Sequence, residues 1–154
     1  MDRILTTHVG SLPRPPRLSD LLIRDEAGEA IDQSELAAEE ARAVEDVVAR
    51  QIAAGIDVIS DGEQPRVGFQ TYVPQRMSGF GGESKRPFGR EWVELPLFTE
   101  KFQARLPKTG KVFGCPEAIG ELKYHDKEAI KTELARFKRQ AAAVKPPFAE
   151  MFFA

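Results

Sequence analysis

The clearest periodic stretch of the chain lies between residues 34 and 54. Leu36, Val44, Val47, Val48 and Ile52 recur on one face at helical spacing, with Ala37, Ala41 and Ala53 filling in. Asp32 and Glu35 have the separation of a capping box, with Asp in place of the usual Ser or Thr. Gly55 supplies a stop, because glycine enters the left-handed region without steric cost. The pattern predicts a helix from about Ser34 to Ala54. Ile56-Asp57-Val58-Ile59-Ser60 follows at once and reads as a short strand. A second amphipathic helix begins after Asp126, with Ile130, Leu134, Phe137, Ala141 and Val144 three and four apart.

The remaining segments are shorter. Ile4 to Thr7 reads as a strand that runs into His8-Val9-Gly10-Ser11-Leu12-Pro13-Arg14-Pro15-Pro16, where the prolines forbid regular helix and impose a loop. Short helices are expected from about Arg17 to Arg24 and from Gly68 to Met77. Lys111 to Gly114 suits a third strand, and Phe148 to Phe153 a fourth. Residues 78–98 are irregular and Gly-containing, which suggests a lid or hairpin excursion. The resulting order, β-α-β-α-β-α-β, argues for a parallel sheet. It fits an α/β fold, the N-terminal half of a (β/α)₈ TIM barrel, with residues 1–154 as one unit. Such a half-barrel leaves two open sheet edges and an exposed inner face. A free-standing doubly wound fold is the alternative, but no Gly-rich phosphate loop follows the first strand.

Composition narrows the classes. The chain has 154 residues, 42% hydrophobic and 30% charged, an ordinary globular balance. A formal net charge of −2 speaks against nucleic acid or a membrane surface as partner. No apolar run approaches the roughly 20 residues that span a bilayer, and Met1 to Leu5 has no secretory character. The single cysteine, Cys115, excludes an internal disulfide and suits a reducing cytoplasm. With only two histidines, His8 and His125, soft metal ligands are scarce.

The candidate chemistry sits after the first two strands. In a (β/α)₈ barrel both loops lie on the face where sites are built. The first carries His8, Gly10 and Ser11; the second carries Asp61, Glu63 and Arg66. Backbone N–H groups at Gly10 and Ser11, with the Ser11 hydroxyl, suit a carboxylate. Glu63 suits an ammonium group. Together they are what the zwitterionic end of an α-amino acid requires. Each motif alone also reads as an ordinary turn. Arg66 can meet a substrate carboxylate or a polyglutamate tail, or pair with Asp61. Phe69 and Tyr72 read as packing, Lys85 and Arg86 as a solvated loop, His125 as surface, and the acidic face of the long helix as solvated. Trp92 has no assignment.

Thr7-His8-Val9-Gly10-Ser11-Leu12-Pro13-Arg14-Pro15, together with Gly55-Ile56-Asp57-Val58-Ile59-Ser60-Asp61-Gly62-Glu63-Gln64-Pro65-Arg66 and Gly68-Phe69, resembles the start of the catalytic domain of the cobalamin-independent methionine synthase family, in its short single-barrel form. The likeness is strong over about the first 80 residues. It implies a methyltransferase that moves a methyl group from a methyl-pterin or related donor to the thiol of homocysteine. It also implies that Gly10 and Ser11 hold the substrate carboxylate and that Glu63 holds its amine. The family's zinc ligands come from the second half of the barrel. This half is therefore expected to carry no catalytic residue and to bind no metal by itself, Cys115 and His8 included. Self-association, or a missing second half-barrel, is expected to cover the open edges. Two other readings stay open: a non-catalytic half-barrel binding module, and a transferase for another thiol such as coenzyme M.

Overall fold

A computed structural model of the chain describes residues 3–82, 89–105, 116–145 and 151–152. The expected strand at Lys111 to Gly114, the loop residues Lys85 and Arg86, and Cys115 lie outside the described residues.

Helix α1 spans Pro16–Glu26, with proline at its first position, where the missing N–H costs nothing. It starts one residue before the expected Arg17. Helix α2 spans Gln33–Ala53. Its N-cap is Asp32, whose carboxylate accepts from the N–H groups of Ser34 at 2.8 Å and Glu35 at 3.2 Å. The Glu35 side chain turns to Arg17 instead, at 2.8 Å. The helix closes as the sequence requires. Gly55 adopts φ +78°, its N–H donates to Ile52 O, and Ile56 N–H donates to Gln51 O, the bond pattern of a Schellman cap.

The chain then enters β1, Ile59–Ser60, shorter than the predicted 56–60. Val58, just ahead of it, bridges Thr7 in parallel. On its other side β1 pairs in parallel with β4, Met151–Phe152, in the register Ile59 to Met151 and Ser60 to Phe152. The segment at residue 7, the 58–60 segment and β4 thus lie in a parallel row, with α2 as the first crossover. This is a mixed α/β fold.

Helix α3, Phe69–Arg76, leads directly into β2, Met77–Gly81. Here the structure departs from the expected alternation of strands and helices. β2 pairs antiparallel with β3, Glu117–Tyr124, with an irregularity between Ser78 and Phe80. The excursion is therefore a two-stranded ribbon, and its return strand falls where the sequence pattern predicts no regular element. Between the two strands lie helix α4, Arg90–Glu94, inside the stretch 78–98 expected to be irregular, and helix α5, Pro96–Arg105, which begins inside that stretch and runs beyond it. Helix α6, Lys127–Val144, follows, capped by Asp126 onto Ala129 N–H at 3.0 Å.

Two apolar clusters hold these parts. Leu18, Leu21 and Leu22 of α1 pack on Leu36 and Ala43 of α2. Val44 and Val48 of α2 pack on Ile59 of β1 and on Phe137 and Ala141 of α6. Fully burying side chains of this size contributes about 1.5–3 kcal/mol each. The predicted faces match these clusters, except that Ala37 and Ala53 are exposed while Ala43 and Gln51 are buried. Glu40 is not part of a solvated face. It is mostly buried and pairs with Arg136 of α6, and burial pushes its pKa up against the pull of that arginine.

Candidate functional site

The site is built where β1 ends. Gln51 of α2 is buried with β1 and replaces a missing strand partner. Its amide donates to Ser60 O at 2.8 Å, and its carbonyl accepts from Ser60 N–H at 2.9 Å. β1 therefore delivers the following residues at a fixed height. Asp61 Oδ1 accepts from Glu63 N–H at 3.0 Å, and Gln64 N–H closes back onto Asp61 O at 3.3 Å. Gly62 and Glu63 take φ values of +61° and +53°. Consecutive positive φ values across such a closure are the mark of a type I′ turn. At Gly62 an added Cβ would also meet Leu12 Cδ1 at 3.0 Å. At Glu63, which has a side chain, the left-handed conformation costs about 1–2 kcal/mol. Strain of this kind persists only where the surroundings hold it.

Those surroundings come from the first loop. Leu12 N–H donates to Gly62 O at 2.9 Å. Gln64, fully buried, sends its amide to Leu12 O at 2.9 Å. Arg14 donates to Glu63 O at 2.8 Å, to Gln64 O at 3.2 Å and to Arg66 O. Burial lowers the pKa of Arg14, partly offset by Glu63. The two loops are stitched in both directions.

Among the residues singled out from the sequence, Ser11 and Glu63 meet. The Ser11 hydroxyl donates to Glu63 Oε2 across 52 positions of chain. Gly10, at φ +96° and with open space where a Cβ would stand, lies beside them in the same loop. His8 turns back to Gly10 O through Nε2 at 3.0 Å. Asp61 and Arg66 form a buried ion pair at 2.7 Å, the local one of the two alternatives for Arg66. The Arg66 guanidinium also lies 4.9 Å from the Tyr72 ring centre.

Tyr72 is more than packing. Arg76 stacks 3.6 Å from its ring centre, and its hydroxyl donates to Glu133 of α6 at 3.0 Å. Burial, with Glu133 nearby, pushes its pKa up to about 12. These residues line a cavity of about 370 Å³ between α2, α3 and α6, together with Glu40 and Arg136. A second, more apolar groove of about 600 Å³ runs between His8, Arg14 and the C-terminal half of α2. Neither is lined by Ser11 or Glu63. His125 is exposed, as expected. The side chain of Phe69 is not described. Trp92 packs edge-on against Phe102 at 5.2 Å, inside the α4–α5 pair. Sequence reading missed Arg14, Gln51 and Gln64. The position of Arg14 between two prolines was the one available signal.

Among the described residues, no three His, Cys, Asp or Glu side chains converge as a metal ion requires. The described side chains do not fit a zinc centre. No helix of the described residues is long and apolar enough to cross a membrane.

A parallel row whose strand-end loops carry paired polar groups defines an α/β protein with a polar loop face. The sequence model described as "Cobalamin-independent synthase, Catalytic domain" matches residues 4–96, and the chain belongs to that family. It is 34% identical over 103 residues to a methionine synthase of Sulfolobus acidocaldarius, covering 66% of this chain and 30% of that protein. Its fold is similar to that of a B12-independent methionine synthase from Shewanella sp. W3-18-1, solved in complex with selenomethionine. The TM-score is 0.53 and the identity 22%, over 89% of this chain and 35% of the other. The chain thus spans about a third of the length of these relatives.

Proposed function

We propose that this chain is the amino-terminal half-barrel of a cytoplasmic, zinc-dependent methyltransferase that forms methionine by moving a methyl group from a methyl-pterin or related donor to the thiol of homocysteine. In this reading residues 1–154 supply the loops that hold the amino-acid end. The zinc ligands belong to the remaining half of the barrel. Family membership supports the reaction class. The observation that carries the site is the contact between Ser11 and Glu63, two residues of distant loops brought to one point. The Glu63 carboxylate accepts from the substrate ammonium. The N–H groups of Gly10 and Ser11 receive the substrate carboxylate, and the Ser11 hydroxyl joins them once the substrate ammonium takes its place on Glu63. His8 shapes the first loop through Gly10 O. Asp61 and Arg66 hold the second loop through their own ion pair and stand behind the ligand.

The half-barrel part of the proposal draws on the parallel row and its outer edge. Ile4, Leu5 and Val9 are exposed there, and the bridge from Thr7 to Val58 is the only one made by residues 4–7 among the described residues. A second half-barrel or another copy of the chain would cover such an edge.

The test is a titration of this chain and its Glu63→Gln variant with L-homocysteine and with 4-mercaptobutanoate, which lacks the amine. A charge-assisted hydrogen bond is worth about 1.5–3 kcal/mol, so the variant should lose roughly 10- to 150-fold in homocysteine affinity and little for the other thiol. Equal loss for both thiols would remove Glu63 as the ammonium partner. No loss for either would mean that the acceptor is not an amino acid.

A further inference from the structure

We propose that Arg14 is a positioning residue for the amino-acid end: it grips the 61–66 turn from the opposite loop and thereby aims the Glu63 carboxylate at Ser11. This rests on the reading of Glu63 as the ammonium partner. Three observations lead to it.

First, the stem of Arg14 is rigid. It stands between Pro13 and Pro15. A residue that precedes proline is confined to extended backbone, and this holds for both Leu12 and Arg14. The backbone from which the side chain leaves is therefore restricted before the contact forms.

Second, its hydrogen bonds converge on one short turn. Nε donates to Gln64 O at 3.2 Å, and one terminal nitrogen donates to Glu63 O at 2.8 Å and to Arg66 O. A planar guanidinium can serve several carbonyls at once, whereas a lysine ammonium is a point charge without that fork. With these donors committed to backbone, Arg14 acts on the ligand through Glu63.

Third, the gripped residue is the one whose backbone is left-handed, Glu63 at φ +53°. The direction of its carboxylate follows from that conformation. Gln64 returns the grip, from the turn to Leu12 O at 2.9 Å. The turn and the Gly10–Ser11 loop therefore keep one relative placement, and with it the spacing between the Glu63 carboxylate and the N–H donors of Gly10 and Ser11.

The experiment compares this chain with Arg14→Met, Arg14→Lys, Glu63→Gln and the Arg14→Met/Glu63→Gln double variant, titrated with L-homocysteine and 4-mercaptobutanoate. Misplacing a binding group by a fraction of an ångström costs affinity steeply, so Arg14→Met should lose roughly tenfold for homocysteine and leave the amine-free thiol nearly unchanged. Arg14→Lys should recover only part of the loss. The double variant should bind no more weakly than Glu63→Gln alone, because both changes act on one contact. Equal losses for the two thiols in Arg14→Met, or an additive double variant, would overturn the proposal. Should Arg14→Met fail to fold, Arg14→Lys carries the same comparison of thiols. A separate arm needs no ligand. Hydrogen exchange at the Leu12 amide, which donates to Gly62 O, should speed up in Arg14→Met, and unchanged exchange would refute the grip. If Glu63→Gln leaves homocysteine binding intact, the amino-acid reading falls and the role of Arg14 toward it falls too. Faster Leu12 exchange would then still support the grip on the turn.

Discussion

The 51–66 segment and the 77–124 excursion are of comparable importance to the chain's outline, yet they are held together by different means. In the first, Ile59, Ser60, Asp61, Gly62, Glu63 and Gln64 are all buried, and most of their polar groups find partners on α2, within the turn and on the first loop. In the second, all eight residues of β3 are exposed. Ile119 and Leu122 stand in solvent, as do Val93 and Leu97 of the intervening helices. Among the described residues the ribbon has no third strand, and a two-stranded ribbon is marginal alone. The contrast shows where the rigidity of this fold is concentrated. The strand-end loops proposed to hold a ligand are braced from both sides, while the excursion is braced chiefly by its own pairing.

Substitutions can break that contrast. Phe137→Ala, in the cluster under β1, should destabilise by about 3–5 kcal/mol through lost burial and a residual cavity, measured by chemical denaturation. A loss below about 1 kcal/mol would mean that α6 does not support the strand. Gln51→Ala should cost about 1–3 kcal/mol by stranding the Ser60 backbone groups without partners. If it costs nothing, water replaces the amide and β1 is less firmly fixed than its burial implies.

Acid offers a third probe on the same side. The Arg3 guanidinium, with Thr6, holds the Asp57 carboxyl well below the usual carboxylate range. A depressed folded pKa stabilises the fold above the unfolded value of roughly 3.9, and that stability is lost as pH falls toward the folded value. Asp57→Asn should therefore flatten the acid limb of the stability profile below about pH 4. An unchanged acid limb would show that Arg3 and Asp57 do not pair in solution. Ile119→Ser on the ribbon should have the smallest effect, within about 0.5 kcal/mol, since its side chain is exposed. A larger loss would mean that the ribbon is covered in solution, and the contrast between the two regions would close.

The local elements were largely legible. Helix α2 and its ends follow from apolar spacing, Asp32 and Gly55, all of which act over a few residues. The Ser11 and Glu63 loops were legible as candidates because each follows a short apolar segment. Of the ribbon, an excursion at 78–98 was legible but its strand pairing was not, because Met77-Ser78-Gly79-Phe80-Gly81 carries little alternation and its partner strand comes more than thirty residues later. Gln51 was missed for a related reason. A polar residue on an apolar helix face looks like a boundary until the backbone of another element arrives to use both ends of its amide.

By itself, the sequence determined the capped helices, the loop imposed by Pro13, Pro15 and Pro16, and the family to which the chain belongs. These depend on steric rules and on motifs contiguous in the chain. Only the tertiary structure decided that Arg66 pairs with Asp61, that Glu63 is held left-handed, and that Arg14 and Gln64 lock the two loops together. The lock between the loops joins atoms about fifty residues apart and surrounds the strained Glu63, while the Arg66–Asp61 pair spans only five positions and is set by the buried turn that closes between them. The sequence carries both partners of every pair, but which donor meets which acceptor is settled only when burial removes the competing water.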